Sequence, residues 1–440
     1  MIDRSTIRTI SSHFFTPVSS EKLAFVRIVF GALMTFGCLR FIALGWIDEQ
    51  YVMPMYHFPY QGFEWVVTLG SPGMYIVFAV MTLAAVGIMI GAWYRISAML
   101  FFLLFTYVEL IDKTYYLNHY YFVSIAALLM CLVPANRAVS VDVWRRPDLY
   151  ASHIPRWSID IFKIQLGLVY VFAGIAKINT SWLFDAMPLR LWMPAHSDLP
   201  IIGPLMTISW LPWVFAWVGM LYDVTVPFFL LNRRTRPWAY AAVIGFHTVT
   251  GMMFQIGVFP LVMIGMTLVF FEPTIPARRS PPSRTTMFVP RYQHAIVAFL
   301  VVHVLVQVLL PMRYLLHRDD LFWHEEGYRF SWRVMLVEKA GLATFTVTDR
   351  RTGKTGYVDN SMFLNAHQEK QMSFQPDMIL QYAHLLHDHY QQRGVLDPIV
   401  NADVWVTMNG ERSKQMIDPS IDLSRERLGW HANRWVLARE

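Results

Sequence analysis

Lys177 closes an apolar stretch rich in small residues, VYVFAGIAKINTSWL (169–183), in which no acidic neighbour offers its ammonium a partner. Two readings suit it. The side chain can snorkel to a membrane surface as an anchor. Alternatively, packed against Ala173, Gly174 and Ala176, it loses hydration, which disfavours its charged form and leaves a free amine able to act as a base. Small side chains at that turn admit a close partner helix or a flat ligand. His119, beside Asn118 and after Asp112 and Lys113, could hydrogen-bond a polar ligand or simply hold a neighbouring carbonyl. Glu109 and Asp112 share a helix face and could pair with Arg40. Asp223 and His247 lie in other apolar runs, where such groups mark either interhelical bonds or a pathway. Arg190 is a candidate partner for a carboxylate, or a surface residue. His384, His387 and His389 have neither HExxH nor zinc-finger spacing, so a solvated helix face is the better reading and no metal is expected. Cys38 and Cys131 both sit in apolar runs and read as small buried hydrophobes.

The elements that must position these groups are membrane helices. Of 440 residues, 55% are hydrophobic and 15% charged, with 31 Phe, 25 Met and 16 Trp. That is too apolar for an ordinary soluble enzyme. Runs near the roughly 17 to 25 apolar residues that span a bilayer fall at 23–46, 74–93, 96–111, 119–134, 158–178, 205–231 and 294–312. A further run, 237–271, is long enough for two helices turning near Gln255, Ile256 and Gly257. The expectation is a multi-pass α-helical bundle of about eight or nine helices. Arg4, Arg8, Glu21 and Lys22 precede a first run too long for a cleavable signal core.

Cytoplasmic loops carry the excess of Lys and Arg. One alternate set of loops holds Arg4, Arg8, Lys22 and Arg95, then Arg137, Arg145, Arg146 and Arg156, then Arg233, Arg234 and Arg236, and finally Arg278, Arg279, Arg284 and Arg291. The other set holds only Lys113 and Arg190. The N-terminus is therefore expected inside, with residues 317–440 outside the membrane. The positive balance then needs no nucleic-acid partner. The outer helix ends carry LIDKTYYLNHYY (110–121) and AKINTSW (176–182), so the polar chemistry faces the non-cytoplasmic side.

Two domains are expected: a membrane domain over 1–316 and a soluble one over 317–440. The Pro/Arg/Ser-rich stretch 272–293 is an inner linker. In the tail, ATFTVTD and KTGYVD flank a turn at Gly353, and DVWVTM meets SKQMID across Asn409-Gly410, a strong hairpin signal. Residues 376–394 read as a helix, with Pro376 in its first turn and Gly394 past its end. A small extracytoplasmic α+β domain follows.

These segments resemble a known family. YRISAMLFFLLFTYVELIDKTYYLNHYY, VYVFAGIAKINTSWL and GFHTVTGMMFQIGVFPLVM in the bundle, with YRFSWRVML, RRTGKTGYVD and DVWVTMNGERSKQMIDPSIDL in the tail, are similar to the vitamin K-dependent gamma-carboxylase family. The match runs in order from about residue 24 to 430. The resemblance implies an integral-membrane enzyme that takes vitamin K hydroquinone (phylloquinone or menaquinone type), O2 and CO2. It carboxylates glutamate side chains of exported proteins while the quinone leaves as its epoxide. A quinone-reducing enzyme is then a partner, and no metal is needed. The resemblance places the base lysine on Lys177, the supporting histidine on His119, and another membrane histidine on His247.

The residues suit that chemistry. No side chain is basic enough to remove a proton from the gamma carbon of glutamate. Oxidation of a quinol must supply a stronger base, and the protein need only deprotonate the quinol and exclude water. Lys177 is then expected to take the quinol proton, with His119 and Asn118 bonding a quinone oxygen. Tyr170, Phe172, Gly174, His247 and Phe254 would line the ring site, and Arg190 or Lys113 would orient the substrate carboxylate. Two alternatives remain: a quinol-oxidising epoxidase that transfers no carboxyl group, and a transporter or receptor. A transporter would usually show repeats with broken helices at midplane, and the sequence shows no repeat.

Overall fold

The computed structural model describes residues 13–200, 202–254, 256–272, 286–317, 320–429 and 433–439. Arg4, Arg8, Gln255, Arg278, Arg279 and Arg284, which figured in the sequence reading, lie outside the described residues.

Helix α1 (Ser20–Ala43) begins where the Ser19 side chain accepts a hydrogen bond from Glu21 N, filling one of the donors a helix start leaves free. It is followed by α2 (Gly70–Ile90), α3 (Tyr94–Ile111), α4 (Asn118–Leu132), α5 (Trp157–Ala176), α6 (Leu211–Leu231), α7 (Arg236–Met253), α8 (Phe259–Thr267) and α9 (Gln293–Met312). Among the described residues, six helices (α1, α2, α3, α5, α6 and α9) are long and apolar enough to cross a membrane, and α4 and α8 are shorter apolar ones. The protein is a multi-pass membrane bundle. The expected run 205–231 starts later than anticipated, because a separate short turn at Gly203–Met206 precedes α6. The run 237–271 divides into α7 and α8, as its length requires.

Arg27 locks one end of the bundle. It is fully buried in α1, and its guanidinium donates to Ala135 O at 3.0 Å, Ile88 O at 2.6 Å, Met89 O at 2.7 Å and Val139 O at 2.6 Å. Those carbonyls end α2 and follow α4, where helices leave acceptors unmet. Gly31 permits this packing: a Cβ there would sit 2.4 Å from Met89 N.

The tail holds a four-stranded sheet. Strand β1 (Lys339–Thr348) pairs antiparallel with β2 (Thr355–Tyr357) and β3 (Ile399–Met408), and β3 with β4 (Lys414–Gln415). Asn409 and Gly410 both take positive φ (50° and 75°), as a two-residue hairpin turn demands. One sheet face turns Phe345, Val400 and Val404 inward, onto Ile379, Tyr382, Ala383 and Leu386 at helical spacing on α11 (Pro376–Gln392). The short α10 (Ala366–Met372) precedes it, opened by a capping box between Asn365 and Gln368.

The tail clamps onto loops from one end of the bundle. Gln368 Nε2 donates to Asp112 Oδ2 at 2.8 Å and to Tyr56 O at 2.7 Å. Asn118 Nδ2 donates to Arg333 O, Trp192 Nε1 to Glu338, and Asn409 Nδ2 to Ser181 Oγ. Lys113 Nζ lies 2.6 Å from Asp377, which Arg329 also holds at 2.8 Å. Burial pushes the Asp377 carboxyl up, but the two cations outweigh it and hold it well below the usual carboxylate range.

Candidate active site

Helix α5 carries Tyr170, Ala173 and Lys177 at positions i, i+3 and i+7, so they share one face. Gly174, one step away, lets α6 approach: a Cβ there would meet Val224 Cγ2 at 2.6 Å, Val224 N at 2.8 Å and Asp223 Cβ at 3.1 Å. That approach delivers Asp223. Its Oδ2 lies 2.7 Å from Lys177 Nζ, with the two side chains only 5% and 9% exposed. Lys177 Nζ also donates to Ala173 O at 3.2 Å and stands 5.5 Å from the Trp182 ring centroid. Asn179 caps the turn that presents Trp182, accepting from Trp182 N at 2.9 Å.

The pair forms part of the wall of a cavity of about 500 Å3 between α5, α6, α7 and α8. Its lining is overwhelmingly apolar, with Phe254, Phe259, Met253 and Phe246 prominent. Val214, Val218, Ala242 and Gly245 line it and are exposed on the outer flank of the bundle. A Cβ at Gly219 or Gly245 would meet nothing within 4 Å. At the tail end the cavity is covered by Val334 and Met335. Inside, Tyr170 OH and His247 Nε2 are 3.0 Å apart, while His247 Nδ1 is buried with no partner among the described residues. A buried polar atom left unmet is costly, and here it lines the space a ligand would fill.

Several sequence expectations are not met. His119 does not line this cavity. Its ring stacks on Phe259 at 4.9 Å, and Phe259 in turn meets His247 edge-on at 5.8 Å, so Phe259 separates His119 from the space beside Lys177. His119 instead lines a pocket of about 60 Å3 with Arg40 and Glu109. Asn118 is occupied twice over, accepting from Tyr116 OH at 3.0 Å and donating to Arg333 O at 2.8 Å, so its amide is a bundle-to-tail clasp. Phe172 packs into the main core, because on a helix it points away from Lys177. Gly174 serves helix packing and does not touch the cavity. Arg190 is exposed and stacked 5.1 Å from the Trp213 ring, outside the cavity. Lys113 is spent on Asp377, in a cleft of about 430 Å3 between bundle and tail. Arg40 lies 4.5 Å from the Trp46 ring and forms no ion pair with Glu109.

What sequence reasoning missed is the Lys177–Asp223 bond, which replaces the expected unaccompanied amine with a paired one. His384 and His387 hold the carbonyls of Glu426 and Pro398, and His389 packs edge-on against Phe363. Among the described residues, no group of His, Cys, Asp or Glu is placed to hold a metal ion.

A membrane cavity with a buried Lys–Asp pair can serve proton transfer to a lipid-soluble ligand. Residues 15–274 match the HTTM domain. Residues 292–440 match the lumenal domain of vitamin K-dependent gamma-carboxylase. The chain belongs to the vitamin K-dependent gamma-carboxylase family. The bundle up to α8 falls in the HTTM match, and the match that carries the enzyme's name covers α9 and the soluble tail. A gamma-carboxylase is a vitamin K-dependent membrane enzyme acting on glutamate-containing substrates. No solved structure matches the chain.

Proposed function

We propose that the cavity beside Lys177 holds the hydroquinone ring of vitamin K, and that this gamma-carboxylase couples epoxide formation to CO2 addition on glutamate. The observation that carries the reading is the Lys177–Asp223 pair at 2.7 Å on the wall of an otherwise apolar cavity. The quinol, oxidised by O2, supplies the strong base that no side chain offers. The chain's own residues do the rest. Once the resting pair has given up a proton and Lys177 stands as a neutral amine beside the Asp223 carboxylate, its Nζ takes a proton from the ring hydroxyl, and Asp223 stabilises the ammonium that results. His247 Nδ1, otherwise unmet, bonds a ring oxygen, and Tyr170 holds the imidazole from its other nitrogen. Phe246, Met253, Phe254 and Phe259 exclude the water that would quench a carbanion. His119 acts through Phe259 as a positioning residue, and the isoprenoid chain leaves between α6 and α7 into the bilayer.

Residues 1–316 form the membrane domain of this reading and 317–440 the extracytoplasmic one, with the N-terminus cytoplasmic. Lys and Arg placement supports that orientation. A quinone-reducing enzyme and an exported glutamate-containing protein are the partners. Purified protein given reduced vitamin K, a glutamate-rich peptide and labelled bicarbonate should yield both label and epoxide. Epoxide without label would select a quinol-oxidising relative, and neither product would overturn the reading.

A further inference from the structure

Between α3 and α9 the bundle holds a second space, a slot of about 290 Å3 backed by α4. It shares no lining residue with the cavity beside Lys177. Both of its long walls present polar groups with hydrogen-bonding capacity to spare. On α3, Thr106 Oγ1 is buried without a partner, and Glu109 makes neither a hydrogen bond nor an ion pair among the described residues. On α4 and bonded to α9, Tyr121 OH accepts from Gln307 Nε2 at 2.8 Å and so keeps its own proton to donate. His303 uses Nε2 on Gln165 Oε1 at 2.9 Å, which leaves Nδ1 free. Tyr60, Tyr116 and Phe330 close one end, and among the described residues no Lys or Arg lines the slot.

Unmet polar groups inside an apolar bundle are costly and mark ligand or pathway positions. The placement here discriminates among membrane-soluble ligands. A phospholipid phosphate would find no cation. A sterol hydroxyl would satisfy one wall and leave the other unmet. A para-quinone or quinol carries an oxygen on each of two opposite ring edges and can bond both walls at once, with Tyr121 and Thr106 donating to carbonyls, or Glu109 and His303 accepting from hydroxyls.

We propose that the slot between α3 and α9 is a second binding site for a membrane-soluble para-quinone or quinol, separate from the reaction cavity. This rests on the reading of the cofactor class given above. The full-length protein in phosphatidylcholine nanodiscs would be photolysed with a diazirine-bearing naphthoquinone and its adducts mapped by peptide mass spectrometry. Adducts are expected on α5–α7 peptides and, separately, on α3 and α9 peptides. Ser124→Trp, which fills the slot from α4, should lower the second set by about tenfold and spare the first. Unlabelled menaquinone should displace both sets, and cholesterol neither.

Adducts on α5–α7 alone would overturn the second site and leave the proposed reaction standing. Adducts in the slot alone would overturn the placement of the reaction cavity and leave the slot standing. Slot adducts that menaquinone fails to displace would identify annular lipid space and overturn the inference. Should Ser124→Trp not elute as a monodisperse protein, the Thr106→Leu and Gln307→Leu variants carry the same comparison.

Discussion

Replacing Asp223 by Asn keeps the side chain's shape and one hydrogen bond to Lys177 but removes the charge that faces its ammonium. The two side chains are 5% and 9% exposed, so water cannot take over the lost interaction. Removing one partner of such a buried pair costs about 3–5 kcal/mol, because the remaining charge is stranded. In the proposed reaction the ammonium is the form that must be stabilised once the quinol proton has moved. At about 1.36 kcal/mol per tenfold, the same interaction corresponds to roughly two to four orders of magnitude in rate. Epoxide formation, followed chromatographically with saturating reduced vitamin K, should fall by that amount in Asp223→Asn. Thermal unfolding in detergent should fall alongside it. The double variant Lys177→Met with Asp223→Leu replaces the pair by apolar groups, so it should recover stability while remaining inactive. A single variant that keeps its rate within about threefold, or a double variant no more stable than the single, refutes the reasoning.

Three further outcomes follow from the same geometry. Lys177→Ala should abolish epoxide formation, and a small external amine supplied in the buffer should restore part of it; full activity without amine would remove Lys177 from the chemistry. Gly174→Ala places a Cβ 2.8 Å from Val224 N, so α6 must shift and carry Asp223 away from Lys177; epoxide formation should drop more than ligand-free stability does. Asp377 has a depressed carboxyl pKa in the folded protein, so its contribution is present above the ordinary carboxylate value, near about 4, and is lost only as pH falls through its lower folded value. Asp377→Asn, which strands Lys113 and Arg329, should loosen the tail by about 3 kcal/mol at neutral pH, read as faster proteolysis between α9 and β1.

The helices were legible because a bilayer demands long apolar runs. The tail hairpin at Asn409-Gly410 and the helix from Pro376 were legible because turn and cap residues act locally. Within the site, helical spacing carried more than was drawn from it. Tyr170, Ala173 and Lys177 fall on one face, whereas Phe172, five residues before Lys177, lies about 140° away at 100° per residue, which is why it packs into the core. The Lys177–Asp223 bond joins residues 46 apart in sequence on two helices, and no local rule reveals which faces meet. The one pointer was Gly174, whose missing side chain signalled a close neighbour without naming it. His119 was misplaced for a similar reason: it does open α4, but the ring of Phe259 that screens it comes from α8, distant in sequence.

The cavity beside Lys177 has Val218 and Gly245 on its flank and Val334 and Met335 at its top. On the proposed reading, a greasy cofactor diffusing in the plane of the membrane reaches Lys177 past the flank, whereas a polypeptide arriving from the tail side must first displace Val334 and Met335. The two substrates of that reading would thus meet at one nitrogen from different sides, and only the polypeptide would have to part the wall.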